Sequence, residues 1–231
     1  MSETSSLNTD GNTKSISEII AHLEQVREER PSVKMAEGKT DRTTETIKKI
    51  LAASQEIFTQ DGHAGLSLRK VAERAGIAVG NLTYHFPTKR SLLDAMLLEA
   101  RADYAEAHIE QYSRPSKTPL EILQNVMEYY VRDARESNRF FMQMWGYAAS
   151  DEAGKEKVLG LYRPLGRFIY YLVREANPTL DDQQIRHAVL QISSLEEGMK
   201  MFFGAGSSDD ETLQAAEGLI REMTEKIVKA E

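Results

Sequence analysis

The chain has 231 residues, 41% of them hydrophobic, a formal net charge of −7 and no cysteine. That length accommodates a small domain plus a second of ordinary size, and the absence of cysteine excludes disulfides, thiol nucleophiles and cysteine-ligated zinc. The acidic balance argues against a general nucleic-acid coat protein, and with no apolar run of about 18 residues and no basic-then-apolar leader the chain is expected to be soluble and cytoplasmic, without a membrane partner.

Residues 1–12 are rich in Ser, Thr and Asn and read as disordered. Ser15 and Glu18 offer a capping box, and Ile16, Ile19, Ile20, Leu23 and Val26 recur at helical spacing, so an amphipathic helix is expected over 15–30. Pro31 should end it, leaving residues 32–41 as a linker. Two readings of this 1–40 extension stay open: loosely ordered and dispensable, or docked by its apolar stripe while Lys34, Lys39 and Arg42 reach out as a basic arm.

From Ser67 the sequence reads as two short helices about a glycine turn. Ser67 is a good N-cap, and Leu68, Val71, Ala72 and Ala75 form an apolar stripe with Arg69, Lys70, Glu73 and Arg74 facing away. Gly76 suits the positive φ that ends such a helix. The next helix, Val79 to Phe86, has only Leu82 and Phe86 as core anchors, which leaves Val79, Gly80, Asn81, Thr83, Tyr84 and His85 for other faces. Such an uncharged set offers donors, acceptors and methyl groups to base edges in a major groove. Charge agrees: Asp41 to Arg90 holds eight basic against five acidic side chains, a local +3 on an otherwise acidic chain.

Beyond Ser91 helix follows helix. Leu92, Leu93, Met96, Leu97 and Ala100 mark one to about Gln111; Thr118 caps another, carried by Leu120, Leu123, Val126, Met127 and Val131 to about Ser137. Asn138 opens an aromatic and Met-rich segment, and Glu152 to Ala176 is helical with a kink or break expected near Arg163, before Pro164. Thr179 and Asp182 offer a capping box for a helix to about Gly204, residues 204–207 read as a loop, and Asp209 starts a last helix to about Lys229. No period-two run interrupts this, so the fold is expected to be all α.

The run from about Thr44 to Leu93 resembles the DNA-binding domain of the tetracycline-repressor (TetR) family of bacterial transcription regulators, carried by ILAASQEIFTQDG, LSLRKVAERAGIAVGNLTYHF and PTKRSLLDAM in order and spacing. The resemblance implies a three-helix helix-turn-helix domain over 41–90 and a larger helical-bundle domain over 91–231 for dimerisation and effector binding. It assigns Val79, Gly80, Asn81, Thr83 and Tyr84 to the recognition helix, with Tyr84 and His85 more often on phosphate than on bases. Ser67 and Arg69 fall where phosphate or a base edge is contacted, although Ser67 serves equally well as a plain N-cap. Lys89 and Thr44 match phosphate-binding positions. Thr83 departs from the family, which often has Tyr there, so a contact made by that phenol is expected to be shortened or missing. Phosphate contacts set register and affinity, and base contacts choose the operator.

The resemblance further implies a homodimer on a palindromic DNA operator, repression relieved by a small-molecule effector, and residence at the bacterial nucleoid when DNA-bound. Val189, Ile192, Leu195 and Phe202, with Leu219, Met223 and Ile227, and with Met199 alongside, are the candidate dimer interface, though ordinary core packing accounts for some of them. Phe141, Met144, Trp145, Tyr147, Tyr162, Tyr171 and Met199 are the candidate lining of a pocket for an apolar or aromatic effector, against the plainer reading that they are core. The alternative function is a DNA-binding architectural or protein-interaction regulator that senses no ligand. An enzyme is not expected: His22, His63, His85, His108 and His187 are scattered, with no HExxH, GxSxG or phosphate loop, and no metal or cofactor is implied. A site built from His108 or His187 with carboxylates is the weaker alternative to exposed helical histidines.

Overall fold

The computed structural model describes residues 16–230 except 36, 39, 114, 116, 117, 206–210 and 212–214. The described residues form helices and connections with no strand, in the order α1 (Ile16–Glu28), α2 (Pro31–Lys34), α3 (Asp41–Gly65), α4 (Leu68–Arg74), α5 (Val79–His85), α6 (Lys89–Ser113), α7 (Pro119–Ser150), α8 (Glu152–Ala176), α9 (Asp182–Ala205) and α10 (Ala216–Lys229). The fold is all α, with an N-terminal helix-turn-helix and a helical remainder. They gather into two compact units, one of the described residues within Leu23–Glu106 and Arg139–Leu161, the other of those within 16–22, 107–138 and 162–230.

The first unit holds α3, α4, α5 and the start of α6 around an apolar core. Ile47, Ile50, Leu51, Ile57 and Phe58 of α3, Val71 and Ala72 of α4, Leu82 of α5, and Leu92, Leu93 and Met96 of α6 are all buried. Phe58 meets Phe140 edge-on at 5.6 Å. Gly62 has φ 68°, which bends the end of α3, and a Cβ there would collide with the side-chain amide of Gln143. Residues 32–41 are more than a linker. Pro31 occupies the first turn of α2, where its missing N–H costs nothing, and Ser32, buried, donates its N–H and its hydroxyl to Glu99 of α6 at 2.9 and 2.6 Å. Arg30 lies among three α6 carboxylates, at 3.6 Å from Glu99, 3.2 Å from Asp103 and 2.9 Å from Glu106. Ile16, Ile19, Leu23 and Val26 of α1 are buried, so the described part of the extension is packed by its apolar stripe and pinned by charge. Ser15 and Lys39 lie outside the described residues; Arg42 is exposed, and Lys34 pairs with Glu29 at 3.8 Å.

In the second unit α9 and α10 pack together. The inward stripe of α10 is Ala216, Ile220, Thr224 and Val228; that of α9 is Ile185, Ala188, Val189 and Ile192, then the buried Glu196 and Lys200. Thr118 caps α7 as expected, and does so in a reciprocal pair with Glu121, both bonds 3.2 Å. Other expectations are corrected. No end occurs at Ser137, because α7 runs unbroken to Ser150 with Phe140, Phe141 and Met144 extending its buried face. No break occurs at Pro164: one missing N–H costs α8 a single bond, outweighed by the buried Val158, Leu161, Phe168 and Leu172. The α9 capping box is Asp181 with Gln184, both bonds 2.8 Å, since Thr179 turns back to Asn177 instead. Gly204 and Ala205 are still helical, while Gly206, Ser207, Asp209 and Leu213 fall outside the described residues.

Candidate nucleic-acid interface

Helices α4 and α5 expose one face because the other is fixed on α3 and α6. Ser67 accepts a hydrogen bond from the Lys70 N–H at 3.3 Å, which starts α4. Gly76, at φ 67°, turns the chain, and the Ile77 N–H closes onto the Ala72 carbonyl at 3.0 Å. In α5 Leu82 is wholly buried and Phe86, its C-cap, nearly so, whereas Tyr84 is 75% exposed and Val79 44%. Gly80 and Asn81 are exposed as well. A helix anchored at i and i+4 thus presents Val79, Gly80, Asn81 and Tyr84 outward.

The remaining sequence-predicted positions divide by what their polar atoms already do. Arg69 is exposed, and its guanidinium forms no ion pair with a described residue. Lys70 and Arg74 are held by Asp61 at 3.3 Å and Glu56 at 2.8 Å. The Thr83 hydroxyl donates to the Gly80 carbonyl at 3.1 Å, so its polar atom is engaged within α5. His85 is half-buried, its ring 5.0 Å from that of Tyr84 and 6.5 Å from that of Phe86. Thr44 is half-buried in the first turns of α3, which starts at Asp41, and bonds back to Thr40.

Lys89 is the main departure. Its ammonium donates to the His63 carbonyl at 2.6 Å, near the C-terminal end of α3 where a cation is favoured, and burial lowers its pKa. His63 in turn stacks on Tyr147 at 4.6 Å, with its own pKa lowered by burial and then by Lys89. A residue expected on phosphate therefore ties α3, α6 and α7 together, and Arg90, exposed beside it, is the free-standing cation there. The cap of α6 was not anticipated: Thr88 and Ser91 exchange N–H to hydroxyl bonds of 3.1 and 3.0 Å. The T-x-x-S spacing was the available signal.

A family model described as bacterial regulatory proteins, tetR family, matches residues 50–96, the segment that builds this face. Residues 50–96 therefore carry a TetR-family DNA-binding segment. The chain's N-terminal part is 43% identical over 61 residues to the HTH-type transcriptional regulator RutR of Escherichia coli K12, a match covering 26% of this chain and 29% of that protein. The match thus spans under a third of that regulator's length. Similarity at 24% extends over 149 residues to the HTH-type transcriptional repressor KstR of Rhodococcus jostii, 64% of this chain and 69% of the relative. Among solved structures, a putative transcriptional regulator from Saccharomonospora viridis in complex with choline shares the fold at TM-score 0.68 and 16% identity, over 79% of this chain and 96% of that one. FadR of Bacillus subtilis in complex with stearoyl-CoA does so at TM-score 0.65 and 16% identity, over 80% and 98%.

Outside the segment matched by the family model, the other predicted positions fall as follows. Of the candidate pocket residues, Phe141, Met144, Trp145 and Tyr147 belong to the first unit and Tyr162, Tyr171 and Met199 to the second. Phe141, Met144 and Tyr147 are buried in local packing, Phe141 5.5 Å from the Tyr104 ring and Tyr147 against His63 and Gly154; Trp145 is exposed. Tyr171 is buried, and Tyr162 and Met199 half-buried. Of the candidate dimer residues, Val189 and Ile192 are buried within the chain's own core, because they share the inward stripe of α9 with Ile185 and Ala188, and they offer no surface to a second subunit. Phe202 is 72% exposed, Leu219 is exposed, and Leu195, Met223 and Ile227 are half-buried; Leu190 and Met201, not singled out in the sequence, are exposed apolar residues of α9. No group of three or more metal-ligating side chains occurs among the described residues, and no described helix is long and apolar enough to cross a membrane.

Proposed function

We propose that this chain is a homodimeric, sequence-specific DNA-binding transcriptional repressor of the bacterial cytoplasm, released from a palindromic operator by a small apolar or aromatic effector. In this reading residues 41–90 read DNA and residues 91–231 dimerise and bind the effector. The observation that carries it is the split of α5, with Leu82 and Phe86 in the core and Val79, Gly80, Asn81 and Tyr84 outside, the arrangement a recognition helix needs. Arg69, Ser67 and Thr44 serve phosphates or a base edge, Tyr84 and His85 phosphate, and Thr83 contributes its methyl group. Lys89 acts by positioning α6 rather than as a direct phosphate ligand. The exposed Met201, Phe202 and Leu219, with the half-buried Leu195, support pairing through α9 and α10, and a two-fold pair supplies half-sites about one helical turn apart. Effector release is supported by the choline and stearoyl-CoA held by the two structural neighbours; Phe141, Met144, Trp145, Tyr147, Tyr162, Tyr171 and Met199 remain the candidate lining.

The test is selection of bound sites from random duplex DNA, followed by gel-shift titration. A short palindrome should emerge. Tyr84→Ala should weaken binding to every sequence about tenfold, ~1.4 kcal/mol, and Asn81→Ala should change the preferred base at one position of each half-site. Binding without sequence preference, or an Asn81→Ala protein with unaltered preference, contradicts the assignment.

A further inference from the structure

The second unit carries a cleft that DNA reading and pairing leave unused. It measures about 760 Å³ and lies among the start of α7, the end of α8, the α8–α9 turn and the first turns of α9, a size typical of small-ligand sites, ~300–1,000 Å³. Its apolar walls are Pro119, Pro178, Leu180 and Ile185 with Tyr170 and Tyr171, whose rings sit edge-to-face at 5.2 Å. Tyrosine and proline surfaces are flat and stiff, so they favour a planar ring over a floppy chain.

Three charged residues line it: Arg174, Glu175 and Asp182. Asp182 is engaged twice, accepting the Tyr170 hydroxyl and the Arg186 guanidinium at 2.8 Å, and Arg186 also lies 5.9 Å from the Tyr170 ring centre. Glu175 receives the Ile16 N–H. Arg174 is exposed and, among the described residues, forms neither an ion pair nor a hydrogen bond. Arg174 feels the charge of Asp182 and the Tyr170 hydroxyl without bonding to either, so the lining charge whose hydrogen bonds remain available is a guanidinium, whose planar fork matches a carboxylate in two parallel bonds.

We propose that this cleft binds a small aromatic carboxylate, its ring between the tyrosine and proline surfaces and its carboxylate on Arg174. A single negative charge is required, because a second would meet Glu175 and Asp182 without a cation of its own. The site shares Tyr171 with the residues proposed for effector release and is otherwise built from different side chains; the proposal concerns binding alone, so it holds or fails independently of DNA recognition.

Calorimetric titration of the full chain with 2-naphthoate, 2-naphthalenemethanol and 2-naphthyl phosphate tests it. The carboxylate should bind at least tenfold more tightly than the neutral alcohol, and the phosphate no more tightly than the carboxylate. Arg174→Gln, a change at an exposed position, should bring the carboxylate down to the affinity of the alcohol while the melting temperature stays put. Equal carboxylate affinity in wild type and Arg174→Gln, tighter binding of the phosphate, or no binding of 2-naphthoate at all would overturn it.

Discussion

The two units handle charge in opposite ways. The DNA-facing unit keeps a mainly hydrocarbon core: Val71, Leu82, Phe86 and Leu92 have no polar group to satisfy, and the buried Ser32 and Ser54 are bonded to Glu99 and to the Ile50 carbonyl. The second unit buries His108, Gln111, Glu196 and Lys200 in its interior. Lys200 bridges Glu196 and, at 3.1 Å, Glu197, and lies 5.7 Å from the centre of the Tyr130 ring, whose hydroxyl is bonded to His108. An apolar core contains no group whose charge a proton can change, and it holds a reading face in one geometry. A buried polar network is stable only while every member keeps its partner, which makes the second unit the one where a proton or a polar ligand can shift a balance.

Breaking that network should produce the largest effect. Lys200→Met leaves Glu196 without its cation in a site closed to water, and removing one member of a buried pair costs about 3–5 kcal/mol. The lower end is expected here, since Glu196 can take up a proton. In the double variant Lys200→Met, Glu196→Gln no charge is stranded between them, and most of that loss should return. Urea denaturation of the two variants decides it: a double variant as unstable as the single one would mean that the network matters for shape rather than charge. A substitution of similar boldness on the reading face, Tyr84→Ala, should leave stability within ~0.5 kcal/mol.

That asymmetry also explains how much could be read from the sequence. The helix-turn-helix was legible because its determinants are local: Ser67 caps within three residues, Gly76 turns the chain by its own φ, and Leu82 and Phe86 show the i, i+4 spacing of an anchored helix. Its exposed set, Val79 to Tyr84, followed from the same periodicity. The contact of Lys89 with the His63 carbonyl was not legible, because that partner is 26 residues away and is defined only once Gly62 bends the end of α3. Val189 and Ile192 share helical spacing with the exposed Phe202, and periodicity alone cannot say which of two apolar stripes faces inward. The cleft of Arg174 and the tyrosines left no sequence signal, being assembled from three helix ends with Asp182 neutralised by Arg186.

A smaller effect separates charges that hold the fold from charges that face solvent. Lys89→Met removes a charged hydrogen bond from the end of α3 and should cost about 1.5 kcal/mol of stability, while the dependence of DNA affinity on salt keeps its slope. Arg69→Ala should do the reverse, sparing stability and lowering the salt slope by about one. Chemical denaturation paired with gel-shift titrations across salt concentrations makes the comparison. If Lys89→Met lowers the salt slope and leaves stability intact, the lysine swings to phosphate on DNA and the contact with His63 is a resting position.

A pH trend confined to the second unit tests the same network by titration. Burial pushes the Glu196 carboxyl up to about 7 from an ordinary value of 4.5, against the pull of Lys200 and with repulsion from Glu197 and Asp133 adding to the rise. The folded chain then holds this proton more tightly than the unfolded chain does, so the group's contribution to stability is complete below pH 4.5 and is lost as pH rises through about 7. Glu196→Gln has no proton to lose. Lys200 keeps its charge across this window in folded and unfolded chains alike, so removing its partner adds an offset that does not vary with pH. The difference in melting temperature, variant minus wild type, should therefore climb between pH 4.5 and 7 and then level off, whatever its absolute sign. A difference that stays flat across the window would show that Glu196 is ionised throughout, with Lys200 compensating its burial in full, and would leave the second unit as indifferent to protons as the reading face.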